Sequence, residues 1–231
     1  MRRKLIGCLL LLAGLAGFAQ TAPVSTQQPA ASPEWVAFLG PFPAVGSDEG
    51  KADIAILLWH QRTRTPADIA RAASEVKLGL EAYAAASGRP LSAAQFPKTA
   101  ALIDKAGKDT KAVTDSLKKH FLRPRPYLTD ARVQPAIDRE TSPSYPSGHA
   151  TRGLIFGIVL AELAPERREA LLAAGRQAGV DRVIGGVHYP SDIEAGQRLA
   201  MRLAAAWLAD PRNRTEVDAV RAAEWSEAAK P

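Results

Sequence analysis

The chain has 231 residues, 46% of them hydrophobic and 23% charged, with a formal net charge of +6 and one cysteine. That length suits one domain with a sizeable core, and a single cysteine excludes a disulfide framework. Arg2, Arg3 and Lys4 carry half of the net charge, so the composition gives little support to general polyanion binding.

Met1 to Ala19 combine that basic head with an apolar stretch from Leu5 to Phe18 and small residues at Gly17 and Ala19. This pattern predicts a secretory signal peptide over residues 1–19, cleaved after Ala19, and it is shorter than a membrane anchor requires. Cys8 would leave with it, so disulfides, thiolate metal sites and a cysteine nucleophile are all excluded from the mature chain. Residues 20–33 are Ala, Pro, Gln, Ser and Thr without apolar periodicity and read as a flexible mature N-terminus. The folded domain is expected over 34–231, beginning near Glu34 or Trp35.

From Lys51 onward the apolar residues keep helical spacing. Ile54, Leu57 and Leu58 mark one segment; Ile69, Ala73, Val76, Leu80 and Tyr83 mark the next, with Pro66 at its opening turn and Ser87-Gly88-Arg89-Pro90 closing the pair. Two further helices are predicted, from Ser92 to about Lys108 and from Asp109 to about Phe121. Gly153 to Ala161 is apolar on nearly every side, as a central helix buried by its neighbours would be. Helices at Glu166–Val180 and Ser191–Ala209 complete the set. No stretch alternates as a strand would, so the fold class is all-α, a single-domain bundle around a central apolar helix with no membrane span.

Three segments carry chemistry. In the first, Lys118 precedes Arg123-Pro124-Arg125-Pro126, where the prolines stop a helix and hold Arg125 extended. Lys118 and Arg125 can then reach one point, Arg125 gripping a phosphate through two hydrogen bonds; the alternative is a solvated basic helix end. In the second, Pro146-Ser147-Gly148-His149 opens the apolar helix. Free amides at Ser147 and Gly148 attract an anion there, and the alternative is an ordinary Ser cap. In the third, Arg182 precedes His188, and Asp192 follows His188 by four positions, so the carboxylate can curl back to the imidazole and leave its other nitrogen nucleophilic. A structural hydrogen bond is the alternative there.

In order and spacing these segments resemble the type 2 phosphatidic acid phosphatase superfamily, whose signature runs Lys-x6-Arg-Pro, then Pro-Ser-Gly-His, then Ser-Arg-x5-His-x3-Asp. Together with the signal peptide and the long helical lead-in, the chain looks like a bacterial class A nonspecific acid phosphatase of the acid phosphatase/vanadium haloperoxidase fold. Asp181 departs from the pattern, standing where the family has Ser, and it is expected either to pair with Arg182 or to repel phosphate.

The resemblance implies an exported, metal-independent enzyme for small phosphorylated substrates, with no cofactor, no specific nucleic-acid partner and room for a homo-oligomer. It implies that His188 attacks phosphorus, Asp192 supports the imidazolium and His149 protonates the leaving group, while Lys118, Arg125, Ser147, Gly148 and Arg182 hold the phosphoryl oxygens. Vanadate is expected to inhibit. A vanadium-dependent haloperoxidase using vanadate as cofactor, a lipid-phosphate phosphatase and an exported phosphate- or polyanion-binding protein are the other readings. His60 and His120 fall outside the pattern.

Overall fold

The computed structural model describes residues 31–226, so the expected signal peptide lies outside the described residues, as does most of the expected flexible segment 20–33. Among the described residues the chain is helical, without strands. In chain order the helices are α1 (Pro33–Leu39), α2 (Asp48–Thr63), α3 (Pro66–Ser74), α4 (Ala84–Ser87), α5 (Pro97–Phe121), α6 (Pro126–Thr129), α7 (Gly148–Leu163), α8 (Arg168–Ile184), α9 (Pro190–Ala209) and α10 (Pro211–Val220).

The all-α reading holds, with α7 at the centre. It packs chiefly on α8, α9 and α5, and only its Gly148, His149, Arg152, Ile158 and Glu162 positions are partly exposed. Leu154, Ile155, Phe156, Val159 and Leu160 are buried in the main core with Leu102, Leu117, Leu199, Leu203 and Trp207. Each such side chain contributes about 1.5–3 kcal/mol on leaving water, so α7 is the axis on which the bundle condenses.

Two expectations need correcting. The pair of helices predicted over Ser92–Lys108 and Asp109–Phe121 is one continuous helix, α5. Gly107 lies inside it with α7 packed against it: a Cβ there would come within 2.9 Å of the Phe156 ring. The segment opened by Pro66 does not run helical to Tyr83. Pro66 opens α3 as expected, behind a Thr65–Asp68 capping box, yet α3 ends at Ser74 and continues as single 3-10 turns at Glu75–Lys77 and Leu80–Tyr83, around Gly79. That unwinding frees the Val76 carbonyl for a bond described below.

The approach of α7 to α8 rests on backbone contact. A Cβ at Gly157 would lie 2.6 Å from the Leu171 carbonyl oxygen, and one at Gly175 would lie 2.7 Å from that of Gly153. Gly157→Ala restores about 1 kcal/mol of helix propensity. It also drives a methyl into a carbonyl that cannot swing aside, an overpacking cost of about 1–3 kcal/mol. The variant is expected to melt below the parent protein; an equal or higher Tm would contradict this contact.

Candidate active site

Three chain turns deliver the site. Helix α5 ends where Leu122 turns left-handed at φ 51°, and Pro124 and Pro126 hold Arg125 extended (φ −68°, ψ 151°) at the entry to α6. Ser147 caps α7, its hydroxyl accepting from the Ala150 amide at 3.2 Å. Pro190 opens α9, and the Asp192 carboxylate accepts from the Tyr189 amide at 3.0 Å.

These turns bring all eight expected residues together. His188 is buried, with Nδ1 3.0 Å from Asp192 Oδ2 and Nε2 2.9 Å from Arg125 Nη1. A carboxylate only accepts and a guanidinium only donates, so Nδ1 carries the hydrogen and Nε2 presents its lone pair. Burial holds the His188 imidazole well below its ordinary range, and Arg125 and Lys118 add to the effect. Burial raises the Asp192 carboxyl, opposed by Arg123 and the Tyr189 amide.

The cations sit around this ring. Arg125 also donates to the Ser142 and Val187 carbonyls at 2.8 and 2.9 Å, which fixes its fork. Lys118 reaches toward the Pro143 and Ser144 carbonyls; burial and the neighbouring Arg125 lower its ammonium to about 8. Arg182 is 1% exposed, and its Nε and Nη1 have no hydrogen-bond partner among the described residues. Among the described residues the Gly148 and His149 amides likewise find no acceptor, and a Cβ at Gly148 would meet only Lys118, at 3.8 Å. Ser147 is fully buried as the cap, and its hydroxyl hydrogen remains available to an anion. Buried donors without acceptors are costly, so their concentration here describes a cradle for an oxyanion.

His149 stands at the rim. Its Nε2 lies 3.1 Å from the Val76 carbonyl, so that nitrogen carries hydrogen and Nδ1 is the one that can exchange a proton. Burial and Arg182 lower its imidazole to about 4. Beside Gly148 and His149 a cavity of about 270 Å³ opens between α5 and α7, lined also by Lys108, Lys111, Arg152 and Phe156.

Residues outside the eight expected ones also shape the site, and Glu140 among them carried no sequence signal. Glu140 accepts from Arg125 Nη2 at 2.6 Å and from Arg182 Nη2 at 2.7 Å. Burial works to raise its carboxyl, but the Arg125 and Arg182 guanidinium groups outweigh burial and hold it at about 2. Arg123, 3% exposed, donates to Asp192 Oδ1 at 2.6 Å and to Asp53 Oδ2 at 3.0 Å, and the Ser191 amide also donates to Asp53. Arg123 therefore serves as the anchor that orients Asp192. Asp181 does not pair with Arg182, the first of its two expected roles. It is fully buried and grips Arg71 of α3 through bonds of 2.9–3.2 Å, with Gln177 as a further donor. His60 is half-buried edge-on to Trp59, and His120 is exposed beside Phe121; neither reaches the cradle.

The PAP2 superfamily matches residues 109–216. An acid phosphatase of Zymomonas mobilis is 35% identical over 146 residues, 62% of this chain and 55% of that protein. A non-specific acid phosphatase of Providencia stuartii is 28% identical over 76% of this chain and 75% of its own length. One from Salmonella typhimurium is 38% identical over 36% of this chain and 35% of its length. The chain thus spans about half, or less, of two of these relatives. In fold it is similar to the crystal structure of a transmembrane PAP2 type phosphatidylglycerolphosphate phosphatase from Bacillus subtilis, with a TM-score of 0.53 and 21% identity over 74% of this chain and 89% of that one. No described helix of this chain is long and apolar enough to cross a membrane. In its three ordered motifs and its helical bundle the chain is similar to the PAP2 superfamily, whose pattern matches just under half of its length.

Proposed function

We propose that the protein is an exported acid phosphatase that hydrolyses small phosphate monoesters through a phosphohistidine on His188. The observation that carries this reading is the His188–Asp192 pair: a buried imidazole whose Nδ1 is fixed by a carboxylate 3.0 Å away and whose Nε2 lone pair is left beside three buried cations. A site that only bound phosphate would have no use for an imidazole so oriented. The export half of the proposal rests on residues 1–19.

In the first step the His188 Nε2 lone pair attacks phosphorus while the ester oxygen departs, taking a proton from His149 Nδ1. Asp192 stabilises the imidazolium-like phosphohistidine. Lys118, Arg125, Arg182 and the Gly148 amide meet the charge spread over the equatorial oxygens. Neutral His149 then takes a proton from water as the water oxygen attacks phosphorus and the N–P bond breaks, which restores both histidines. The cavity beside His149 accepts the leaving alcohol, and its mixed lining of Phe156, lysines and Arg152 suits a broad range of alcohols.

His188→Ala is expected to abolish both turnover and the trapping of labelled phosphate on the protein; near-normal hydrolysis would remove His188 as the nucleophile. His149→Ala should cost far more on alkyl phosphates than on p-nitrophenyl phosphate, whose leaving group needs no proton, and equal losses on the two would count against His149 as the acid.

The pH dependence has a definite sign. The active form needs His149 protonated and His188 neutral, and burial, with Arg125 and Lys118, holds the His188 imidazole well below its ordinary range, which favours its neutral form. With His149 at about 4 in the free protein, kcat/KM is expected to fall as pH rises above that value. The kcat limb should lie at higher pH, since a bound phosphoryl anion raises the same imidazole. A kcat/KM that climbed steadily from pH 4 to 7 would contradict the assignment.

A further inference from the structure

Glu140 is not part of the three motifs, yet its carboxylate sits at the centre of the cradle they form. One oxygen accepts from Arg125 and the other from Arg182, the two guanidinium groups assigned above to the phosphoryl oxygens. This is the bridging position of an oxyanion, taken by a side chain of the chain itself. The fit is incomplete. Arg182 Nε and Nη1 remain buried without acceptors, and the Gly148 amide is also unmatched. A carboxylate offers two oxygens, whereas the phosphoryl group of a monoester offers three, so a phosphate in this place satisfies donors that Glu140 leaves idle.

The surroundings allow the exchange. Arg125 is pinned independently by the Ser142 and Val187 carbonyls and keeps its direction without Glu140. The Glu140 backbone is clamped at both ends: its carbonyl accepts from the Tyr127 hydroxyl at 2.7 Å, and its amide donates to the same oxygen at 3.1 Å. The side chain is 29% exposed, so it can rotate into water while the backbone stays in place. Outside the cradle the carboxylate is hydrated, and the arginines are paired by the incoming anion.

We propose that Glu140 is a displaceable internal anion: it occupies the phosphate cradle in the free protein, the phosphoryl group expels it, and it returns to Arg125 and Arg182 as inorganic phosphate leaves. This rests on the phosphatase reading for its substrate, a phosphate monoester, but the exchange itself concerns binding alone. Its role is to set affinity. Without Glu140, three buried cations would retain the product; with it, every oxyanion competes against a carboxylate already in place, and phosphate release is assisted.

Calorimetric titration of inorganic phosphate into the wild-type chain, Glu140→Gln and Glu140→Ala near neutral pH tests this. Both variants are expected to bind phosphate at least about tenfold more tightly, the scale of one charge-assisted hydrogen bond, and vanadate inhibition should tighten by the same factor. Phosphate affinity unchanged or weakened in folded variants overturns the proposal. Thermal melting supplies a second measurement. Without phosphate the variants should melt below wild type, because two buried guanidinium groups lose their partner; in saturating phosphate that deficit should vanish. A deficit of equal size in both conditions would mean that Glu140 stays in place with phosphate bound, and it overturns the exchange. Tighter phosphate binding in variants of a chain that hydrolyses no monoester supports the exchange and removes the phosphatase reading. Hydrolysis with unaltered phosphate affinity does the opposite.

Discussion

Lys118, Arg125 and Arg182 are removed from water within one cluster, and the fold is arranged around the repulsion that this creates. Like charges a few ångström apart in a partly dry interior repel by several kcal/mol, so such a cluster stands only where anions or carbonyl dipoles face it. The lowering of Lys118 to about 8 records the strain, with burial as its main cause and Arg125 as the next. Carbonyls of the 142–144 loop, the Val187 carbonyl and one carboxylate provide the balance. A site balanced so narrowly favours any tetrahedral oxyanion that reaches it, and this preference underlies both the proposed chemistry and the exchange at Glu140.

Holding such groups in register requires ties to the scaffold that run deeper than the cradle. Asp192 touches His188, the Tyr189 amide and Arg123. Arg123 continues to Asp53 on α2, and Asp53 returns to the start of α9 through the Ser191 amide and hydroxyl. The closed circuit links α2, the turn after α5 and the first turn of α9. It is buried, so any member without its partner would be an uncompensated charge, and the positions of the members are mutually determined. Arg123 also lies over the Tyr189 ring, 3.7 Å from its centroid, which fixes its plane from a further side. The orientation of the proposed nucleophile is thus set by packing across the bundle as well as by its neighbour four residues on.

How much of this was legible in the sequence follows from the range of each determinant. Where the determinant is local, reading succeeds: Pro124 and Pro126 around Arg125, Ser147 before an apolar run, and His188 four residues before Asp192 behind Pro190 all act within one or two turns. Where it is distant, reading fails. The split of 92–121 into two helices misses that Pro97–Phe121 runs on as one, with Phe156 of α7 packed against Gly107. Glu140 lies in an irregular stretch with no periodicity, and only the fold shows that Arg125 and Arg182 meet there. The extended helical reading from Pro66 failed because it could not see that the segment unwinds after Ser74, with the Val76 carbonyl turned to His149.

Asp181 shows the same logic at the one position that departs from the superfamily pattern. In a helix consecutive residues point about 100° apart, so a carboxylate just before Arg182 faces a different side of α8 from the guanidinium. On that side α3 presents Arg71, which meets the carboxylate with both Nε and Nη2. Glu75 is drawn into the same pocket, and burial together with Asp181 raises its carboxyl to about 7, so it remains largely protonated in acid. Two acidic groups therefore add less than two negative charges, and Arg71 offsets what is left. The Asp181 carboxylate is thus turned away from the Arg182 guanidinium and ties α8 to α3 through Arg71.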